Sequence, residues 1–251
     1  MTTTTLSPER YLQLVDADTE RLIAMGERGL TEQVPSCLGW DVAEVVWHTA
    51  VVYEHKVRVM ADNAWPDPWP PADFEEREEL AFLREAKDDL FLEFARHDPA
   101  EVTETFSSDD NTIAFWMRRM ALEVAVHRVD GELAHGDLTP VSVDLAVDGI
   151  DEVLRLMLGG PSRSHDIERQ EHPVDAAVAV ESESRRWLCD IKGSEVTITD
   201  DAAGNAAATI SGPADSVFLW LWGRAGDDAV TFGGDSKTVT EFRARLAEAT
   251  Q

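Results

Sequence analysis

Two histidines and one glutamate in this 251-residue chain have the types and spacing to share one ligand: His48, Glu123 and His127. Glu123 and His127 are four residues apart, so on a helix their side chains lie one turn apart on the same face. Met120 and Val124 share that face and mark it as inward-looking. A carboxylate and an imidazole on an apolar stripe are costly to desolvate unless something pairs with them. By this spacing alone, the two can simply hydrogen-bond each other inside a core. His48 adds a third donor, on a helical face shared with Val45 and Val52. Two imidazoles and one carboxylate fill three positions of a zinc-like ion and leave a further one for water or substrate, the ligand count of a catalytic site. Nitrogen and oxygen donors suit zinc, nickel, cobalt, iron or manganese, and affinity order alone does not choose among them. A di-iron bundle needs more carboxylates and two Glu-x-x-His motifs, whereas this chain offers a single Glu-x-x-x-His.

Neighbouring residues extend the constellation. Arg119 lies four before Glu123, where it can bind a substrate carboxylate or form an i,i+4 salt bridge to Glu123 that competes with metal. Arg84 is a second candidate for anion binding. Trp116, with Trp65 and Trp69, can wall a pocket or pack in a core. Asp130, one turn beyond His127, can orient its imidazole from behind; capping or a surface pairing with Arg128 is the equal alternative. His55, two turns from His48, can approach the site but reads first as a helix-surface residue, and His97, His135, His165 and His172 fall at helix ends or in loops. Cys37 and Cys189 have neither metal-ligand spacing nor a disulfide framework. Cys37 reads as a small hydrophobe before it reads as a nucleophile.

The elements that must position these groups are helical in the first part of the chain. Helical spacing covers 8–30; Asp41 with Glu44 makes a capping box that opens a helix over 41–62. The Trp65–Pro71 run must be a loop. A third helix is predicted over 74–96 with Leu83, Leu90 and Phe94 inward, and a fourth over 112–134, capped by Asp109 or Asp110 and ending before Gly136. Residues 141–158 suit an exit helix. After the composition break at 159–164, the segments 174–180, 186–192, 195–200 and 206–211 read as strands, with turns at Gly193-Ser194 and Gly204-Asn205. A helix near 213–224, a strand near 228–232 and a helix at 236–248 complete the pattern. The expected architecture is a four-helix bundle with its exit helix over 1–158 and a small α+β domain over 159–251.

Composition bounds the partners. With 22 basic and 49 acidic residues, the formal charge is −27. Such a surface repels phosphate backbones and anionic membranes, so nucleic acid and membrane are excluded as expected partners. The chain has neither an apolar run of membrane-spanning length nor a signal-like N-terminus, which makes the cytoplasm the expected compartment. A monomer or a homodimer is expected.

Four stretches resemble the mycothiol-dependent maleylpyruvate isomerase family. They are Cys37-Leu38-Gly39-Trp40-Asp41-Val42-Ala43-Glu44-Val45-Val46-Trp47-His48; Arg119 to Asp130 around Glu123 and His127; Asp148-Gly149-Ile150-Asp151-Glu152; and Ile210-Ser211-Gly212-Pro213-Ala214-Asp215 running on to Gly223-Arg224. The resemblance implies a DinB-like metal-binding bundle followed by a small α+β domain, with the metal triad on His48, Glu123 and His127. It also implies mycothiol, the low-molecular-weight thiol of actinobacteria, as cosubstrate beside a small-molecule substrate. The expected activity is isomerisation, or S-transfer to a small electrophile. A metal-dependent hydrolase or amidase of the same bundle type is an alternative, as is a non-catalytic module that binds a metal or ligand.

Overall fold

The computed structural model describes residues 6–160, 174–193, 195–200 and 203–250. His165, His172, Ser194 and the 161–164 part of the composition break lie outside the described residues. The chain divides into two compact units, Met1–Thr139 and Pro140–Gln251.

The first unit is built from four helices: α1 (Pro8–Arg28), α2 (Val42–Asp62), α3 (Glu79–Phe94) and α4 (Ile113–His135). Local chemistry sets their ends. Ser7 caps α1 by accepting from the Arg10 amide at 3.2 Å. The capping box at α2 forms as expected: the Glu44 amide donates to Asp41 Oδ1 at 3.1 Å and the Asp41 amide to Glu44 Oε2 at 2.8 Å. The cap of α4 differs from expectation. Thr112, not Asp109 or Asp110, accepts from the Phe115 amide. Asp110 instead holds the cap itself, taking the Thr112 hydroxyl at 2.7 Å and its amide at 3.2 Å. Gly136, at φ 65°, closes α4 in the left-handed conformation that glycine adopts without penalty.

The third helix starts later than its periodicity suggests. A 3-10 turn over Ala72–Glu76 comes first and sets Phe74 against Phe82, ring centroids 4.8 Å apart; Glu78 then caps α3. Within the unit α1 packs on α4, and α2 packs on both α3 and α4. Leu83, Leu90 and Phe94 are buried as predicted, together with Tyr11, Leu22, Val45 and Tyr53. α4 buries side chains on every face, so its polar residues are drawn into the interior as well.

The second unit begins with α5 (Val143–Glu152) and a π turn (Val153–Leu158), the segment that the sequence assigned to the bundle. It belongs with the second unit because α5 buries Leu145, Ala146 and Ile150 and packs on α6 (Ala214–Leu221). The break therefore falls at Thr139–Pro140 and not at 158–159. Five strands follow: β1 (Asp175–Ser182), β2 (Arg185–Lys192), β3 (Glu195–Asp200), β4 (Ala208–Gly212) and β5 (Thr231–Gly234), in the order β3-β2-β1-β4-β5. β1 and β2 form an antiparallel hairpin in which Asp175 faces Lys192, while β4 lies parallel to β1, pairing Val180 with Ile210. Trp187, Cys189 and Ile191 alternate inward along β2. α7 (Ser236–Thr250) ends the unit with Phe242 and Leu246 buried. The architecture is the expected helical bundle plus a small α+β unit.

Candidate metal centre

α2 and α4 bring His48, Glu123 and His127 together. One ligand atom from each lies within 4.8 Å of the others, and among the described residues this is the one group of histidine, cysteine or acidic side chains that converges in this way. Glu123 Oε1 is shared: His127 Nε2 stands 3.3 Å from it and His48 Nε2 3.5 Å. Both contacts are longer than good hydrogen bonds to a carboxylate, and an oxygen facing two imidazole nitrogens at this range fits a donor set suited to a cation. The two imidazole centroids are 4.9 Å apart, edge to face. His127 and Glu123 are nearly enclosed, whereas the side chain of His48 keeps 35% of its surface accessible. The cluster is open on the His48 side.

The surroundings prepare these donors. Asp130 Oδ2 meets His127 Nδ1 at 3.1 Å, which leaves Nε2 directed at Glu123. Asp130 is itself fixed by the Ser36 hydroxyl at 2.6 Å and the Cys37 thiol at 3.7 Å. The contact with His127 is the one that an orienting role for Asp130 requires. Trp40 stands against both imidazoles, with centroids 5.1 Å from His48 and 6.4 Å from His127, and shields them from one side. The Arg119 guanidinium pairs with Glu123 Oε2, as the i,i+4 alternative anticipated.

These contacts set the electrostatics. Burial opposes ionisation of Glu123, but the Arg119 charge and the two imidazoles outweigh it and hold the carboxyl well below the ordinary range. Burial likewise disfavours the His127 imidazolium, yet Asp130 and Glu123 prevail and raise it to about 9.

Other predicted residues fall elsewhere. Arg84 is not brought to the triad; it pairs at the surface with Glu27 of α1. Trp116 is fully buried and donates its indole N–H to the Glu104 carbonyl at 3.0 Å, so it forms a floor and not an open wall. Arg128, weighed as a partner of Asp130, is buried and pairs with Glu132 at 2.7 Å instead. His97 is held between Glu93 at 2.9 Å and Glu101 at 3.0 Å. Cys37 is half-buried, and Cys189 lies in the sheet core, where burial pushes its thiol up to about 12.

Sequence reasoning missed three contributors. Ser36 and Trp40 come from the loop ahead of α2, whose path no periodicity reveals. Lys56 was passed over entirely. It lies eight residues beyond His48 on α2, a spacing that repeats a helix face and was the available signal. Its ammonium lies 4.8 Å from the Trp116 ring centroid and 5.6 Å from that of Trp65, and it donates to His55 Nδ1 at 2.9 Å. Burial lowers the Lys56 ammonium to about 8, an effect that Glu123 opposes and Arg119 reinforces. His55 is not a surface residue: it packs against Trp65 and Trp69 at 5.5 and 5.0 Å, and burial together with Lys56 brings its imidazole down to about 4.

Comparison with known proteins agrees with this architecture. Residues 11–131 match the family model described as the mycothiol maleylpyruvate isomerase N-terminal domain, and residues 144–240 match that of the corresponding C-terminal domain. No curated protein sequence gives a significant match. Among solved structures, the crystal structure of the mycothiol-dependent maleylpyruvate isomerase superposes with a TM-score of 0.63 at 15% identity, covering 93% of this chain and 96% of that one. A histidine-to-alanine mutant of that isomerase gives a TM-score of 0.61 at the same identity and coverage. At this identity the superposition speaks for the fold, and the two domain models, which take in most of the chain between them, speak for descent. The chain belongs to the mycothiol-dependent maleylpyruvate isomerase family.

Proposed function

We propose that this protein is a metal- and mycothiol-dependent enzyme that isomerises a small cis-unsaturated electrophile, or transfers the thiol to one. The observation that carries the reading is the convergence of His48, Glu123 and His127 with one side open. The donor set fits a zinc-like ion in charge and number: one carboxylate, two imidazoles, and a carboxylate behind His127 to fix its tautomer. A divalent metal held there supplies a Lewis acid that lowers the pKa of a thiol bound beside it, so that the nucleophilic thiolate is available near neutral pH.

The chain's own residues do the rest. Asp130 accepts a hydrogen bond from His127 Nδ1–H and keeps the Nε2 lone pair facing the centre, while Ser36 keeps Asp130 from turning away. Glu123 supplies the negative charge and Arg119 holds its outer oxygen in place. Trp40 limits access of water to the imidazoles. Mycothiol bound there would supply a thiolate for reversible addition to the conjugated alkene, which would let the former double bond rotate before the thiolate leaves; in S-transfer the adduct would instead take up a proton and keep the sulfur.

The reading predicts that metal-loaded protein converts maleylpyruvate only when mycothiol is present, and that His48→Ala removes the activity while the fold persists by circular dichroism. Conversion of neither maleylpyruvate nor a simple thiol acceptor by the metal-loaded protein with mycothiol would overturn it.

A further inference from the structure

The chain contains four lysines, and three of them lie against carboxylates: Lys87 on Asp16 and Glu20, Lys192 on Asp190, and Lys237 on Glu241. Lys56 is the exception. In a protein with 49 acidic residues, its half-buried ammonium forms no ion pair among the described residues and rests on two tryptophan rings and one imidazole nitrogen. Desolvating a cation without a counter-ion is unfavourable, and cation–π contacts with a single neutral hydrogen bond offset only part of that cost.

The site around this charge is built. Trp116 forms its floor, fixed by its bond to the Glu104 carbonyl. Trp65 stands edge-on to Trp116 at 6.2 Å and forms a rim that is 45% exposed, so the position opens to solvent. His55 is held as a neutral acceptor by its place between Trp65 and Trp69. Lys56 is two helical turns along α2 from His48, roughly 12 Å of helix rise at 1.5 Å per residue. Trp116, the ring under the ammonium, lies on α4 seven residues before Glu123, so Lys56 sits on the seam between the two helices that carry the triad. Arg119, the other cation here, is already engaged with Glu123.

We propose that Lys56 is a specificity-determining residue that binds a carboxylate of the electrophile, with the exposed Trp65 ring flanking the planar conjugated part of the same molecule. The inference rests on the reading of the centre as a thiol-dependent one. A carboxylate at this point gives Lys56 its missing counter-ion and orients the conjugated chain along the α2–α4 seam toward the centre.

The test is calorimetric titration of the full-length protein with maleate, a cis-unsaturated dicarboxylate, and with uncharged dimethyl maleate. It is run metal-free so that carboxylate cannot bind the metal directly, with kinetics on the metal-loaded protein alongside. Lys56→Met is expected to weaken maleate binding by about tenfold or more, the usual loss for a charged hydrogen bond. Lys56→Arg retains most of the affinity, and dimethyl maleate is indifferent to either change. On the loaded enzyme Lys56→Met raises KM far more than it lowers kcat. If wild type does not bind maleate, or if Lys56→Met binds it as wild type does with an unchanged thermal midpoint, the inference falls. Lys56-dependent maleate binding without mycothiol-dependent conversion would sink the proposed function and leave the carboxylate subsite standing. Full conversion by Lys56→Met with KM within about twofold of wild type would do the reverse.

Discussion

Along α4, Glu123 and His127 are spaced like Arg128 and Glu132, four residues apart, yet the two pairs end in different surroundings. Glu132 is saturated: it accepts from Arg128 at 2.7 Å, Arg21 at 2.9 Å, the Thr139 amide at 2.8 Å and the Thr139 hydroxyl at 3.0 Å. Arg128 also reaches the Thr139 carbonyl at 2.8 Å and faces Asp18 across 3.3 Å. The Glu132 carboxylate is buried and held by short bonds on both oxygens, and the network ties α1 to the end of α4, although Arg128 Nε has no hydrogen-bond partner among the described residues. Around Glu123 the imidazoles stand at 3.3 and 3.5 Å, and one of the three residues is open to solvent. Identical spacing therefore yields either a structural lock or a reactive centre. What separates them is the carboxylate: Glu132 has both oxygens closed off by short bonds, whereas Glu123 keeps one oxygen facing two loosely held imidazoles.

The largest expected effect breaks the locked side. Glu132→Ala leaves the Arg128 guanidinium buried without its main partner and should cost about 3–5 kcal/mol by urea denaturation. Glu123→Gln in metal-free protein keeps an oxygen for the Arg119 guanidinium but loses the charge, and should cost less, about 1.5–3 kcal/mol, while abolishing metal uptake. Comparable losses of stability from the two substitutions would erase the distinction between the clusters.

A smaller effect sharpens the open side. Asp130→Asn changes the group behind His127 and should lower metal affinity by about 10–100-fold in competition with a chelator, with little change in the melting midpoint. An affinity equal to wild type would mean that Asp130 does not orient the ligand.

The finest test is pH. His127 is raised to about 9 from an ordinary histidine value of 6.5, so its contribution to metal-free stability is fully present below about 6.5 and is lost as pH rises through about 9. Metal needs the neutral imidazole, so binding near pH 7 should release about one proton and tighten as pH rises across the same window. Calorimetry in buffers of different ionisation enthalpy measures this directly. Proton-neutral binding would show that His127 is not a ligand.

The helices of the bundle and the triad were legible because burial leaves a periodic imprint: Glu123 and His127 fall on a stripe with Met120 and Val124, and Asp41 with Glu44 announces α2. The lock was not legible, because Arg128 and Glu132 look like any exposed i,i+4 pair until α1 and Thr139 close over them. Lys56 was hidden for a similar reason. The tryptophans that receive it sit on a proline-rich loop and on another helix, and no local pattern encodes that return. The α4 cap shifted to Thr112 because Asp110 satisfies Thr112 first. The division at Thr139–Pro140 escaped notice because the helical pattern of 141–158 continues that of the bundle, although Pro140 itself was the available signal.

The central claim is that His48, Glu123 and His127 hold one metal with a position left for thiol. Elemental analysis of purified protein, joined to a thermal-shift titration with mycothiol, tests it most directly against His127→Ala. The account predicts about one divalent metal per wild-type chain, little or none in the variant, and a mycothiol-dependent rise in melting midpoint only when metal is present. A wild-type chain that holds well under one metal after gentle purification and reconstitution, or a mycothiol response unaltered by His127→Ala, would contradict it.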